Sequence, residues 1–325
     1  MKKPRFSVIM PLFNKAPYVR KALESIVSQT YKDWELIIVD DGSTDNSTAI
    51  CEKYLKNITH QTSHIIHQKK SGVAAARNRG IAESHGEFLC FLDADDWWEK
   101  DFLEEMDRLI AEYPDAGIFS TNYVYYKPGK THVALNLPRG YMNYPDAYLH
   151  GEMPVWTGAT CMPRRVFDEM GGFPVGIKLG EDFLLWAKIT LHYPAVFGDK
   201  PLAYYNNDVP PSLRATRNLH APKYHMLFNL QPIEEDISNI QDSAIRQDWL
   251  DLLDWLRVNG LMEFWLSDKY HDAAAKELKK VEWNRQPRKV IRMYKLPIWM
   301  LKAHKRFMQI GSFCKQKLIR FLIIK

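Results

Sequence analysis

The chain has 325 residues, 46% hydrophobic and 26% charged, a balance that predicts a packed core and leaves room for one large domain with an appendage or for two domains. The formal charge of +5 hides an asymmetry: residues 283–325 carry 12 Lys or Arg and no Asp or Glu, leaving 32 basic against 39 acidic residues elsewhere. No apolar run reaches transmembrane length, and the apolar stretch after Met1–Arg5 is too short for a signal peptide, so the expected site of synthesis and residence is the cytoplasm.

The first half alternates strands and helices. Phe6–Leu12 is an apolar run ending at a turn near Asn14. Tyr18, Val19, Ala22, Leu23, Ile26 and Val27 then recur at helical spacing. Trp34–Val39 reads as a second strand, followed by the acidic turn Asp40-Asp41-Gly42-Ser43, with Asp45 expected to cap the next helix. His64–His67 is a weaker strand and Gly72–Ser84 an alanine-rich helix. Phe88–Leu92 is a fourth strand and runs into Asp93, Asp95 and Asp96. A helical face over Phe102–Ile110 and a strand at Ala116–Ser120 follow. Residues 121–160 read as loops and short strands, Pro163–Met170 and Glu181–His192 as helices, and Asp248–Leu266 and Tyr270–Val281 as two more.

Continuous apolar strands alternating with helices predict an α/β fold, a parallel sheet covered on both faces. Ligands of such sheets bind beyond the carboxyl ends of the strands, and two separate strand ends here carry acids. Asp93, Asp95 and Asp96 form an oxygen-rich set suited to a hard divalent cation. Asp40 and Asp41 suit either a helix-capping turn or a carboxylate facing a nucleobase. Arg77 and Arg79 suit either a solvated helix face or contact with a diphosphate. Glu181 and Asp182 suit a helix N-terminus, where the dipole favours acids, or a proton acceptor. Neither a Gly-x-Gly-x-x-Gly turn nor a phosphate loop accompanies the strands. The four cysteines have no metal-ligand or redox spacing and read as reduced thiols, with Cys51 and Cys161 expected at the surface and Cys90 within a strand.

Taken in order, Ser7–Asn14, Ser28-Gln29-Thr30, Glu35–Ser43, Gly72–Gly80, Phe91–Asp96, Gly171-Gly172-Phe173 and Gly180-Glu181-Asp182 resemble the family-2 glycosyltransferases of the GT-A fold, over roughly residues 5–205. The resemblance implies a GT-A (Rossmann-like), mixed but mainly parallel sheet, with helices continuing at the C-terminus. It implies that Pro11 and Phe13 line a base pocket, that Asp41 with Asp40 beside it contacts the base, and that Arg77 approaches the nucleotide. It also implies an Asp-x-Asp motif in which Asp95 ligates Mn²⁺ or Mg²⁺ while Asp93 lies nearer the ribose, and a general base at Asp182 supported by Glu181. Trp156-Thr157-Gly158 then borders the acceptor. A histidine that many members place after the last strand is replaced by Ala203–Asn207, so Ser212, Arg214 and Arg217 are the candidates for a phosphate clamp.

The implied reaction is metal-dependent, inverting transfer of a sugar from a nucleotide-diphosphate donor, expected to be a UDP-sugar, to a hydroxyl of a glycan or lipid-linked acceptor in bacterial surface polysaccharide or lipopolysaccharide assembly. Transfer to a soluble or protein acceptor, or a non-catalytic nucleotide-sugar-binding or scaffold role, are the alternatives. Expected domain limits are 1–215 for catalysis, 216–282 for a helical extension and 283–325 for a basic amphipathic tail. The tail lacks a nucleic-acid motif and suits the anionic inner leaflet, giving a peripheral protein at the cytoplasmic face of the membrane.

Overall fold

The computed structural model of the chain describes residues 3–56, 58, 62–150, 153–210 and 219–303. Its first elements are β1 (Phe6–Leu12), α1 (Val19–Val27), β2 (Trp34–Asp40), α2 (Ser47–Leu55), β3 (Ser63–His67), α3 (Val73–Ala82) and β4 (Phe88–Phe91). Then come β5 (Trp97–Trp98), α4 (Phe102–Glu112), β6 (Ile118–Tyr126), β7 (His132–Val133), β8 (Gly140–Met142), α5 (Tyr144–His150), β9 (Thr160–Pro163), α6 (Arg164–Met170), α7 (Glu181–His192) and β10 (Ala195–Asn206). Helices alone follow among the described residues: α8 (Gln231–Ser238), α9 (Ser243–Gly260), α10 (Met262–Trp265), α11 (His271–Leu278) and α12 (Arg288–Lys295), with single 3₁₀ turns between some of them. None of the described helices is long and apolar enough to cross a membrane.

The strands form one sheet in the order β3-β2-β1-β4-β9-β6-β10-β5. The first four are parallel, β9 is antiparallel to both β4 and β6, and β6 and β10 are again parallel. This is the mixed, mainly parallel α/β sheet of the GT-A type, with a helical C-terminal region. Strands β1 and β2 are apolar on both faces because both are covered, and Val8, Ile9, Ile37 and Ile38 are fully buried. Each such side chain contributes about 1.5–3 kcal/mol by leaving water. In α1, buried Val19, Ala22, Leu23 and Ile26 follow the helical repeat that the sequence shows.

Several differences from the sequence reading have local causes. The region expected to open as loops at 121 instead continues β6 to Tyr126, buried through Val124 and paired along its length with β10. Strand β10 was not visible because register shifts around Pro201 interrupt its apolar pattern. Asp45 does not sit at the helix boundary: Asn46 does, while Asp45 accepts the Ser47 and Ala16 amides from one residue further out. The helix expected at Asp248–Leu266 begins at Ser243 and breaks between Gly260 and Met262. Cys51 and Cys161 are not surface thiols. Both are fully buried, and Cys161 pairs across the sheet with Cys90. Burial pushes the Cys51 thiol up to about 12.

Conserving the geometry of the strand ends falls to a few buried polar groups. Glu35 accepts the Ser7 hydroxyl at 2.6 Å and the Gly86 amide at 3.0 Å, which keeps it ionised; burial opposes this, and the hydrogen bonds lower its pKa overall. Gln29 joins α1 to the segment after the acidic turn by donating to the Glu99 carbonyl and accepting the Leu103 amide. Asn78 on α3 exchanges two hydrogen bonds with the backbone of Phe173, and Gly172 leaves no room for a side chain beside it.

The chain falls into two compact units, Met1–Leu252 and Leu253–Lys325. The second has its own apolar interior, with Leu256, Leu261, Phe264, Ala274 and Leu278 buried, and its Tyr294 hydroxyl donates to the Val258 carbonyl at 2.6 Å.

Gly86 is the tightest of these contacts. A Cβ there would stand 2.6 Å from the Ser7 amide nitrogen and 2.7 Å from the Phe6 carbonyl carbon, both backbone atoms. Gly86→Ala should therefore cost about 1–3 kcal/mol. Chemical denaturation that shows no loss would mean that β1 yields freely at this point.

Candidate active site

Two acidic or aromatic corners lie at the ends of β1, β2 and β4, which stand side by side in the parallel half of the sheet, and a third lies at the start of α7. At the first corner, Asn14 adopts a left-handed conformation (φ 52°), and its side-chain oxygen accepts the Thr44 amide at 2.8 Å. The turn after β1 is thereby tied to the turn after β2. Half-buried Pro11 and Phe13 border this corner, and the Lys70 ammonium sits 4.0 Å from the centroid of the Phe13 ring.

Asp40 and Asp41 have different surroundings. Asp40 accepts the Ser43 amide at 2.9 Å and meets His67 at 3.2 Å. Burial acts against its charge, but the bonds from Ser43, His67 and Thr48 bring its pKa below the usual carboxylate value. Its carboxylate is committed to the turn, as a cap would be. Asp41 reaches the other way and gathers the loop before α3, accepting Gln68 Nε2 at 2.8 Å, the Ser71 amide at 2.7 Å and the Gly72 amide at 2.8 Å.

The acidic turn after β4 forms the second corner. Asp96 is 4% exposed and accepts the Asn206 amide at 2.7 Å, linking the turn to the end of β10. Asp95 forms an ion pair with Lys15, which the sequence reading did not single out. Burial first, then the neighbouring Asp93, pushes the Asp95 carboxyl up in pKa against the pull of Lys15. Asp96 is driven well above its ordinary range by burial and by Asp95 and Asp93.

Arg77 is the centre of the arrangement. The solvated helix face considered for it does not exist: Arg77 is 3% exposed, whereas Arg79 is exposed and pairs with Glu83 one turn on. One Arg77 amino group donates to Asp93 at 2.9 Å and the other to Glu181 at 3.0 Å. Burial works against its charge, but Asp93, Glu181 and Asp182 outweigh that and raise its pKa. The guanidinium thus joins the acidic turn of β4 to the first turn of α7.

The third corner begins at Gly180, left-handed at φ 81° and pressed against Met226, so the chain turns sharply into α7. Asp182 accepts the Thr157 hydroxyl at 2.9 Å and the Phe183 amide at 2.8 Å. The Thr157 loop is itself fixed by Trp98, whose indole donates to the Gly158 carbonyl at 2.6 Å. Glu181 is buried beside Asp182. Burial, then the charge of Asp182, lifts its pKa to about 7, although Arg77 pulls the other way. The upward direction has a clear cause, because Arg77 is shared with Asp93.

The structure therefore brings together Arg77, Asp93, Asp95, Glu181 and Asp182, five residues that the sequence analysis singled out. It adds Lys15, which no periodicity or motif marks. In the segment that takes the place of the family histidine, Tyr204 stacks on Trp97 and donates to Glu99. Ser212, Arg214 and Arg217 lie outside the described residues. Among the described residues no group of three or more acids, histidines or cysteines is gathered closely enough to form a metal cage. The donor set nevertheless suits a cation that takes one or two carboxylates and fills its remaining positions with substrate phosphates and water, as Mg²⁺ does. Buried, mutually repelling carboxylates next to a single lysine are where a divalent cation gains most.

Residues 7–171 match the family described as glycosyl transferase family 2. The chain belongs to this family. The glycosyltransferase GlyA of Streptococcus pneumoniae is 41% identical over 200 residues, which are 58% of this chain and 28% of GlyA. The chain spans between 28% and 43% of the length of the first three curated relatives it matches. Among solved structures, residues 1–349 of S. aureus TarS in complex with UDP-GlcNAc superpose with a TM-score of 0.71 at 20% identity, covering 88% of this chain and 82% of that TarS segment. The mannosyltransferase PcManGT of Pyrobaculum calidifontis, solved with GDP-Man and Mn²⁺, superposes with a TM-score of 0.58 at 20% identity, covering 95% and 81%. At that identity the two likenesses show the fold.

Two outcomes test the Arg77 bridge. Arg77→Met leaves buried carboxylates without their cation and should cost about 3–5 kcal/mol at pH 8, and less at pH 6, where Glu181 takes up a proton. A carboxyl with a pKa of about 7 in the fold and an ordinary value of 4.5 favours the folded state fully below 4.5, and that contribution is lost as pH rises through 7. Melting temperature should thus fall less steeply between pH 5 and 8 in Glu181→Gln than in the parent chain. Parallel curves would show that Glu181 is ionised throughout.

Proposed function

We propose that this family-2 chain transfers a sugar from a nucleotide-diphosphate donor, with UDP as the nucleotide, to a hydroxyl group of a glycan or lipid-linked acceptor, with inversion at the anomeric carbon. The observation that carries the reading is the Arg77 bridge, because its two amino groups hold Asp93 of the Asp-x-Asp motif and Glu181, the chain neighbour of Asp182. A donor diphosphate at the acidic turn then presents its sugar toward Asp182. The TarS complex with UDP-GlcNAc supports a nucleotide sugar in this fold, and the Mn²⁺ of the PcManGT complex supports a divalent cation.

The base of the donor would lie at the corner of Pro11, Phe13 and Asp41, where Phe13 offers a ring face and Asp41 has acceptor capacity beyond its loop contacts. Asp93 would face the ribose, and Asp95 would hold the cation in place of its bond to Lys15. Mg²⁺ or Mn²⁺, when bound there, offsets charge developing on the departing diphosphate.

Asp182 carries the proton. Thr157 and the Phe183 amide hold its two oxygens, so the carboxylate is oriented before any acceptor arrives. An acceptor hydroxyl hydrogen-bonded to Asp182 loses its proton to the carboxylate as its oxygen attacks the anomeric carbon. The bond to the leaving phosphate oxygen breaks in the same displacement, and its electron pair leaves with the nucleoside diphosphate. A single displacement inverts the centre, as in inverting glycoside hydrolysis with a sugar hydroxyl replacing water. Neighbouring Glu181 does not serve equally, because its carboxylate is turned to Arg77.

The pathway proposed is assembly of a bacterial surface polysaccharide or lipopolysaccharide, with the basic segment 283–325 holding the chain at the cytoplasmic face of the membrane. Of that segment, α12 lies within the described residues, with Arg288, Lys289, Arg292 and Lys295 along its eight positions, and residues 304–325 lie outside them.

Nucleoside-diphosphate release from a panel of nucleotide sugars, with Mn²⁺, Mg²⁺ or EDTA, tests the reaction class. Release from one donor, abolished by EDTA and by Asp95→Ala, is expected. Asp182→Asn should lower turnover by about 10²–10⁴-fold with the donor KM changed only a few-fold. Near-normal turnover in that variant removes Asp182 from the role, and release that ignores EDTA removes the cation.

A further inference from the structure

The helical unit contains a cavity that the transfer reaction does not use. It has a volume of about 600 Å³ and is walled by Trp265, Leu278, Trp283, Ile291 and Tyr294, from α10, α11, a 3₁₀ turn and α12. That volume lies within the roughly 300–1,000 Å³ of pockets that take small molecules. Three aromatic rings shape it: Tyr294 stands 6.0 Å from Trp265 and 5.2 Å from Trp283, centroid to centroid. Two of their polar tips are already satisfied, Trp283 by the Leu278 carbonyl and Tyr294 by the Val258 carbonyl. The third is not: Trp265 Nε1 is buried without a hydrogen-bond partner.

The polar margin of the cavity is cationic. Lys279 and Lys295 both line it, and neither has an acidic partner among the described residues. Immediately after Lys295 the chain exposes Leu296 (42%), Trp299 (70%) and Met300 (40%), large apolar side chains turned to solvent. An apolar chamber with a lysine margin and an adjoining exposed tryptophan matches an amphiphile: hydrocarbon inside, anion at the mouth, interface alongside.

We propose that this cavity binds one molecule of an anionic membrane phospholipid, its hydrocarbon chain between Trp265, Leu278 and Ile291 and its phosphate on Lys279 and Lys295. Charge selects this occupant over the chain's own C-terminal segment. Residues 304–325 contain six Lys or Arg and no acid, so they would bring like charge to a lysine margin. The inference stands on the helical unit alone and goes beyond the reading of the donor site. A peripheral protein would thereby hold a single lipid in a built site, in addition to any general attraction of its basic segment to a charged surface.

The test uses the full chain and dihexanoyl phosphatidylglycerol kept below its micelle concentration, followed by tryptophan fluorescence and native mass spectrometry. Saturable one-to-one binding is expected, at least tenfold tighter than for dihexanoyl phosphatidylcholine or inorganic phosphate. Ala275→Trp, at a position of α11 that lines the cavity, and the double variant Lys279→Glu with Lys295→Glu should each weaken it at least tenfold, with the melting temperature unchanged. Absence of saturable binding overturns the proposal. So does binding that survives both sets of substitutions, which would place the lipid elsewhere, and so does inorganic phosphate binding as tightly as the lipid. A dimer broken by Ala275→Trp would make a second copy the occupant and overturn it as well. The assay needs no turnover, so its failure leaves the donor-site reading standing, and the reverse holds equally.

Discussion

The arrangement of the catalytic half depends on one buried cation. Arg77 lies buried on α3, and its charge survives burial because Asp93 and Glu181 face it from two separate elements. A buried ion pair of this kind contributes little net stability compared with an apolar replacement, yet losing one partner is severe. Its importance is therefore positional. The turn after β4 and the start of α7 are far apart in sequence, and the guanidinium fixes the distance between them.

The same constraint sorts the carboxylates by task. Asp96 and Glu35 are structural, each tied to backbone amides that join strands or turns. Glu181 shares the bridge and is easily protonated. Asp93 and Asp95 stay partly exposed, at 32% and 18% of their side chains, where a ligand can meet them. Asp182 is oriented by a hydroxyl and an amide. Acids crowded within a low-dielectric pocket repel one another, and this site answers with two cations, Lys15 and Arg77. The crowding leaves the site receptive to further positive charge.

The two compact units differ in what they stabilise. The sheet-bearing unit holds polar groups at strand ends through buried hydrogen bonds such as those of Gln29, Glu35 and Asn78. The helical unit holds aromatic rings around an open apolar volume, with basic residues on α12 and beyond.

The sequence by itself determined the order of elements from β1 to β4 and the helix α4, because β1 and β2 are continuous apolar runs and α1 and α4 carry helical stripes of buried residues. It also determined which acids cluster, since Asp93, Asp95 and Asp96 lie within four residues of one another and Glu181 and Asp182 are adjacent. Only the tertiary structure decided what those acids do. Local pattern cannot show that Arg77 turns inward rather than to solvent, because a helix with few large residues presents no clear apolar face. It cannot show that Lys15 reaches Asp95 across 80 residues, or that Thr157 reaches Asp182 across 25. Nor can it show strand β10, whose pattern is broken at Pro201, or the cavity of the helical unit, which exists only between helices. Periodicity reports one element's own exposure; partners that come from different elements are set by how the sheet orders its strands.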